Sequence, residues 1–148
     1  MFLSLCALAR LPAQVVLSEF QAANITTLRD EEGDTEDWIE LCNLSNAPVN
    51  IGGWYLTDDR GQLNKWQLPS TNLAAGQFLV VFASNKDRRV PGAPLHTNFK
   101  LSTGGEYLAL VNSFGVLEIA RAEQNAAEGL GLSRGAPVSV REGAPHQP

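Results

Sequence analysis

From Val15 onward, short apolar runs are broken by turn residues at spacings near the about 8–12 residues of a β-sandwich. Val15 to Phe20 alternates, with Val16, Ser18 and Phe20 on one face and Val15, Leu17 and Glu19 on the other. Trp38 to Asn43 sets Ile39 and Leu41 against Trp38, Glu40 and Cys42. Val49, Ile51, Trp54 and Leu56 follow, interrupted by Gly52-Gly53, a pair that permits a tight bend. Lys65 to Leu68 is a short strand that Pro69 ends, because proline cannot donate to a ladder. Phe78 to Ala83 (FLVVFA) is continuously apolar, the pattern of a central strand buried on both faces. Leu101 to Thr103 leads through Gly104-Gly105 into Glu106 to Asn112, and Ser113-Phe114-Gly115 turns that strand back onto Val116 to Ala120. No stretch holds a helical period with caps at both ends. The pattern predicts an all-β domain of antiparallel strands.

Composition narrows the class. The chain has 148 residues, 44% hydrophobic and 18% charged, which fits one globular domain with tails. Its net charge of −5 argues against delocalised nucleic-acid binding, which needs clustered Lys and Arg. No apolar run approaches the about 18 residues of a membrane span. Residues 1–14 read as an incomplete signal segment: Phe2 to Ala9 is apolar and Ala13 offers a small residue for cleavage, but no Lys or Arg precedes the stretch. That leader places the protein outside the cell or in its envelope. Cys6 lies in the leader, so Cys42 is left as a buried small hydrophobe with no disulfide framework. Residues 15–122 make the domain. Residues 123–148, rich in Ala, Gly and Pro, read as a loose tail with at most one edge strand near Pro137 to Val140.

Five segments together resemble the lamin tail domain family in its bacterial form: Val16 to Phe20 (VLSEF), Gly33 to Asn43 (GDTEDWIELCN), Ile51 to Asp58 (IGGWYLTD), Phe78 to Ala83, and Leu95 to Glu106 (LHTNFKLSTGGE). The resemblance implies an immunoglobulin-like β-sandwich and a binding role. In bacteria such domains recur in exported or surface proteins, beside nucleases, phosphatases or adhesion modules. Nothing here resembles the coiled-coil rod of lamins, which removes filament formation. The match weakens after Ala122, so a last strand is expected to be absent or degraded, with a sheet edge left open.

Several residues carry candidate chemistry. The run Asp30, Glu31, Glu32, Asp34, Glu36 and Asp37 is acidic enough to interest Ca²⁺, with Asp30, Asp34 and Asp37 as ligand candidates, although its spacing is not that of an EF-hand. The plainer reading is a solvated acidic turn, ordered by Asp37 and Glu40 through backbone N–H groups. Trp54 and Trp38 read as core, while Trp66 reads equally as a core residue or as an aromatic in contact with a ligand. Lys86, Arg88, Arg89 and Lys100 make a basic segment that would steer an anionic partner, the alternative being an ordinary surface loop. His96 is an interaction candidate; a single histidine beside Asn98 and Lys100 composes neither a triad nor a zinc set. There is no Gly-x-Ser-x-Gly elbow and no phosphate loop. The expectation is a non-catalytic module without a cofactor or small-molecule substrate, docking to a protein or a surface polymer. The alternative is an accessory domain of an extracellular hydrolase or nuclease, and a nucleic-acid-associated module ranks below both.

Overall fold

Ten β-strands and no helix form among the described residues of the computed structural model, 14–103, 107–115 and 117–121. They are β1 (Val15–Gln21), β2 (Asp37–Asn43), β3 (Val49–Asn50), β4 (Tyr55–Thr57), β5 (Trp66–Gln67), β6 (Asn72–Leu73), β7 (Phe78–Ala83), β8 (Leu95–His96), β9 (Tyr107–Val111) and β10 (Leu117–Arg121). Sheet 1 runs β1-β2-β7-β8, sheet 2 runs β10-β9-β4-β5, and β3 and β6 form a small third sheet. Residues 1–13 of the expected 1–14 leader, the Gly104-Gly105 turn and the tail expected to carry an edge strand lie outside the described residues.

The inner rows of the two sheets meet in one core. Ile39 and Leu41 of β2 and Val81 of β7 pack with Leu56, Trp66, Leu108 and Leu110 from sheet 2. Each such side chain contributes about 1.5–3 kcal/mol by leaving water. Inside this core Asn43 is fully buried, and its Nδ2 donates to the carbonyls of Ala47, Leu73 and Ala74 at 2.8–3.0 Å. A polar side chain is tolerated there because it is satisfied, and it ties β2 to the small sheet. At the Gly52-Gly53 bend, Gly53 has φ +82 and a Cβ on Gly52 would lie 2.9 Å from the Cα of Ser70, so both positions require glycine.

The structure departs from strict alternation in three places. A bulge between Leu17 and Glu19 sets two residues of β1 opposite Glu40, so the inward row is Val15, Leu17 and Phe20. Phe20 is therefore a core-side residue, not a companion of Val16. The β7–β8 pair is parallel, with Val81 opposite Leu95 and Phe82 opposite His96, while the other ladders are antiparallel. Finally, β7 is central but buried on both faces only at its C-terminal half. Its outer row falls from 56% exposed at Phe78 to 9% at Phe82. Trp54 is half-buried against the rim of the core.

Candidate functional site

That gradient along β7 divides the outer face of sheet 1 into two halves. Cross-strand pairing arranges the face in three rows: Val16–Cys42–Phe78, then Glu19–Glu40–Val80, then Gln21–Trp38–Phe82–His96. The third row is roofed by the loop of residues 22–36 and by the segment that follows β7. Among the described residues the first two rows have no such cover, and Cys42, 4% exposed, is enclosed between its neighbours Val16 and Phe78.

The roof is built from local turns. Asp30 Oδ1 accepts from the N–H groups of Glu32 and Asp34, and Gly33, at φ +87, closes the turn onto the Asp30 carbonyl. Asn24 is buried and holds the loop from inside. Its Nδ2 donates to the carbonyls of Leu28 and Glu36, its Oδ1 accepts from Thr27 N–H, and its own N–H donates to Asp37 Oδ1 at 3.1 Å. On the other side, Asn85 and Asp87 adopt positive φ around Lys86, whose N–H donates to Ser84 Oγ. This kink turns Lys86 back over the sheet.

Charge then locks the two pieces together. Lys86 Nζ pairs with the buried Asp30 carboxylate, with Glu32 at 2.6 Å and with Asp34 at 3.0 Å. Arg88 reaches Glu31 and, at 2.6 Å, Glu32, while Lys100 reaches Glu36 at 3.1 Å. Burial pushes the Asp30 carboxyl up, but the bonds from Lys86 and from the N–H groups of Asp34 and Glu32 outweigh it, and its pKa falls below the usual value. Glu31 drops to about 2 because its own N–H, His96 and Arg88 all favour the carboxylate. Glu32 is lowered by Lys86 and Arg88. Desolvation opposes the charge on Lys86, yet the three carboxylates raise its pKa overall.

Beneath the lock lies a chain of polar groups. His96 is fully buried, stacked on Phe82 at 5.2 Å, with Nδ1 2.8 Å from Ser84 Oγ and Nε2 3.0 Å from Glu31 Oε2. An ionised Glu31 can only accept, so Nε2 carries a proton in that bond, and Nδ1 shares a hydrogen bond with the Ser84 hydroxyl. The serine oxygen in turn receives the Lys86 N–H. Ser, His and Glu in a row are the parts of an acyl-transfer relay. Here both Ser84 and His96 are buried, and the hydroxyl points at Nδ1 rather than at a substrate space. The arrangement is a fastening. A cleft of about 360 Å³ elsewhere, lined by Ser70, Thr71, Asn72 and Leu95 among others, has hydroxyls and amides but no base to activate them.

The candidates named from sequence fall out as follows. Asp30 and Asp34 come together, with Glu32, within reach of one point, but the positive charge that these carboxylates need is supplied by Lys86. A Ca²⁺ ion would have to displace that ammonium. Asp37 is not with them, since it accepts from the Asn24 N–H. Lys86, Arg88 and Lys100 face the acidic loop instead of presenting a free basic patch. The reading of a steering surface is corrected accordingly. Trp66 is also corrected: it is 0% exposed, donates Nε1–H to Asp87 at 3.0 Å, and is capped by the Arg89 guanidinium 5.5 Å above its ring. Arg89 is thereby a lid on the core edge, paired with Asp87 at 2.7 Å. His96 is interior.

Sequence reasoning missed the bare half. Leu44 is 67% exposed and Phe78 56% exposed, with Val16 and Val80 half-buried between them. Leu44 continues the outward alternation of β2, its N–H bonded to the Gln14 carbonyl at 2.8 Å. An exposed apolar surface on a rigid sheet, bordered by the carboxylates of Glu19 and Glu40, is what a docking site needs. The signal was present as the outward positions of a run that is apolar on both faces.

Compared with known families, residues 11–126 match the family model described as Lamin Tail Domain. No curated protein is matched by the chain.

Proposed function

Because the chain belongs to the lamin tail domain family, a family of non-catalytic immunoglobulin-like domains, we propose that it is a docking module whose contact surface is the bare half of sheet 1. One observation carries the reading: the same strand that is roofed at Phe82 is open at Phe78, on a backbone paired with β2 along its whole length. Pre-organised apolar area costs little conformational entropy on binding, and aromatic residues such as Phe78 anchor interfaces. The burial of Ser84 and His96, fastened to each other and to Glu31, supports a role without catalysis. The apolar stretch Phe2 to Ala9 supports placing this module in an exported or cell-surface protein, which N-terminal sequencing of the protein from its source would test.

Site-specific photocrosslinking tests the docking surface. A benzoylphenylalanine at position 78 in the source cells should capture a discrete protein, and one at position 34 on the roofed half should not. The captured protein should then bind the purified chain, and the Leu44→Ser/Phe78→Ser pair should abolish that binding without changing the melting temperature. Equal adducts from both positions, or none from position 78, would sink the proposal.

A further inference from the structure

The bare half carries a charge arrangement that the roofed half does not. Glu19 and Glu40 are direct cross-strand partners on the outer face. Like charges placed directly opposite destabilise a sheet. Elsewhere on this face the carboxylates are matched: Asp30, Glu31, Glu32, Asp34 and Glu36 each meet Lys86, Arg88 or Lys100. Glu40 accepts only from the Ser18 hydroxyl, at 2.6 Å, and among the described residues neither it nor Glu19 has a cationic partner. The bulge at Ser18 brings this about, since it turns Glu19 outward opposite Glu40.

Resting on the docking reading above, we infer that the partner is a protein segment that presents an arginine among apolar side chains, its guanidinium bridging Glu19 and Glu40 while its neighbours cover Val16, Leu44, Phe78 and Val80. The chemistry favours arginine over lysine. A planar fork with five donors can serve two carboxylates at once, and its weak hydration lets it enter an apolar surface. A sheet face with paired acids in one row and apolar groups in the flanking row fits an extended segment in which every second residue, the set that points to one side, runs apolar, arginine, apolar. Removing the water around the pair strengthens the attraction further.

The probe is a set of three capped heptapeptides, Ser-Val-Ser-X-Ser-Val-Ser with arginine, serine or glutamate at X so that valine, X and valine share one face, titrated into the isotope-labelled full chain and read by amide chemical shifts. The arginine peptide should bind saturably, shifting Val16, Glu19, Glu40 and Phe78, and should weaken as salt is raised. The serine and glutamate peptides should bind at least about tenfold more weakly. The Glu19→Gln/Glu40→Gln variant, nearly isosteric and relieved of repulsion, should keep the fold and lose about tenfold in affinity for the arginine peptide. Glu40→Lys should reverse the preference toward the glutamate peptide. Equal binding of the serine and arginine peptides, or no loss in the Gln variant, overturns the arginine assignment while the docking surface stands. If no peptide touches the face, the assignment is likewise overturned, and crosslinking from position 78 decides separately whether the surface docks at all. Dimerisation of the chain through this face, seen by sedimentation, would name a second copy as the occupant and also overturn it.

Discussion

The two halves of the outer face of sheet 1 begin from the same chemistry and end differently. Both rest on β2 and β7, and both offer apolar outward side chains: Cys42 and Phe78 in one, Trp38 and Phe82 in the other. Over the second half, a loop and a kinked segment close and exchange charges. Over the first, nothing among the described residues closes. What differs is where the chain supplies a cover, and the cover is built chiefly from polar groups. The roofed half is therefore a structural element whose stability can be measured, while the open half is a surface whose removal should cost the fold little.

Truncating the outer row at each end is the sharpest way to break that comparison. Phe82→Ala removes a ring that is 9% exposed and stacked on His96. It should lower stability by about 3–5 kcal/mol in urea unfolding. Next comes the lock itself. Lys86→Met leaves the Asp30 carboxylate buried without its cation, a loss of about 2–3 kcal/mol, below the full penalty of an enclosed pair because Lys86 still touches water. Hydrogen exchange across residues 22–36 should accelerate in the variant, and a loop that stays protected would show that the ion pairs do not hold the roof.

Acid should release the same lock. The carboxyls of Asp30, Glu31 and Glu32 have lowered pKa values in the folded protein. Their contribution is thus complete above their ordinary values near 4 and is lost as pH falls through the folded values, about 2 for Glu31. Loop protection should decline between about pH 4.5 and 2, and the decline should shrink in Lys86→Met. Asn24→Ala is the smaller test of the roof, at about 1–2 kcal/mol, since it strands the carbonyls of Leu28 and Glu36. Melting temperature with loop-specific exchange would read it.

These contrasts also mark what the sequence discloses. Alternation locates the strands well, and the bounds of β7 coincide with the apolar run Phe78–Ala83. Gly33 announces its turn. The acidic and basic runs are each visible, but their meeting is not, because Lys86 and Asp30 lie 56 residues apart and only the order of strands in sheet 1 brings them together. The bulge at Ser18 is equally hidden, for nothing in Val15 to Phe20 shows where the period slips by one. Trp66 misleads for a related reason. Its polar neighbours Lys65 and Gln67 suggest a wet strand, whereas period-two alternation sends the tryptophan inward and the two neighbours out. The apolar run of β7 carries a further sign, because a strand apolar on both sides demands a cover on its outer face as well as its inner one.

Phe78→Ala should have the smallest effect on the fold, and it decides the most. The ring lies on the same strand and on the same face of it as Phe82, four residues away, so the two truncations remove the same group from β7 opposite β2. If exposure governs the outcome, Phe78→Ala should change stability by less than about 1 kcal/mol, against the several expected at Phe82. A penalty equal to that at Phe82 would mean that the first half is covered in solution after all, and the docking surface would disappear with the comparison. A near-neutral result leaves a ring that the fold does not require and that water does not favour, held outward beside a pair of carboxylates with no cationic partner among the described residues. Contact with a partner is then the physical use that remains for it.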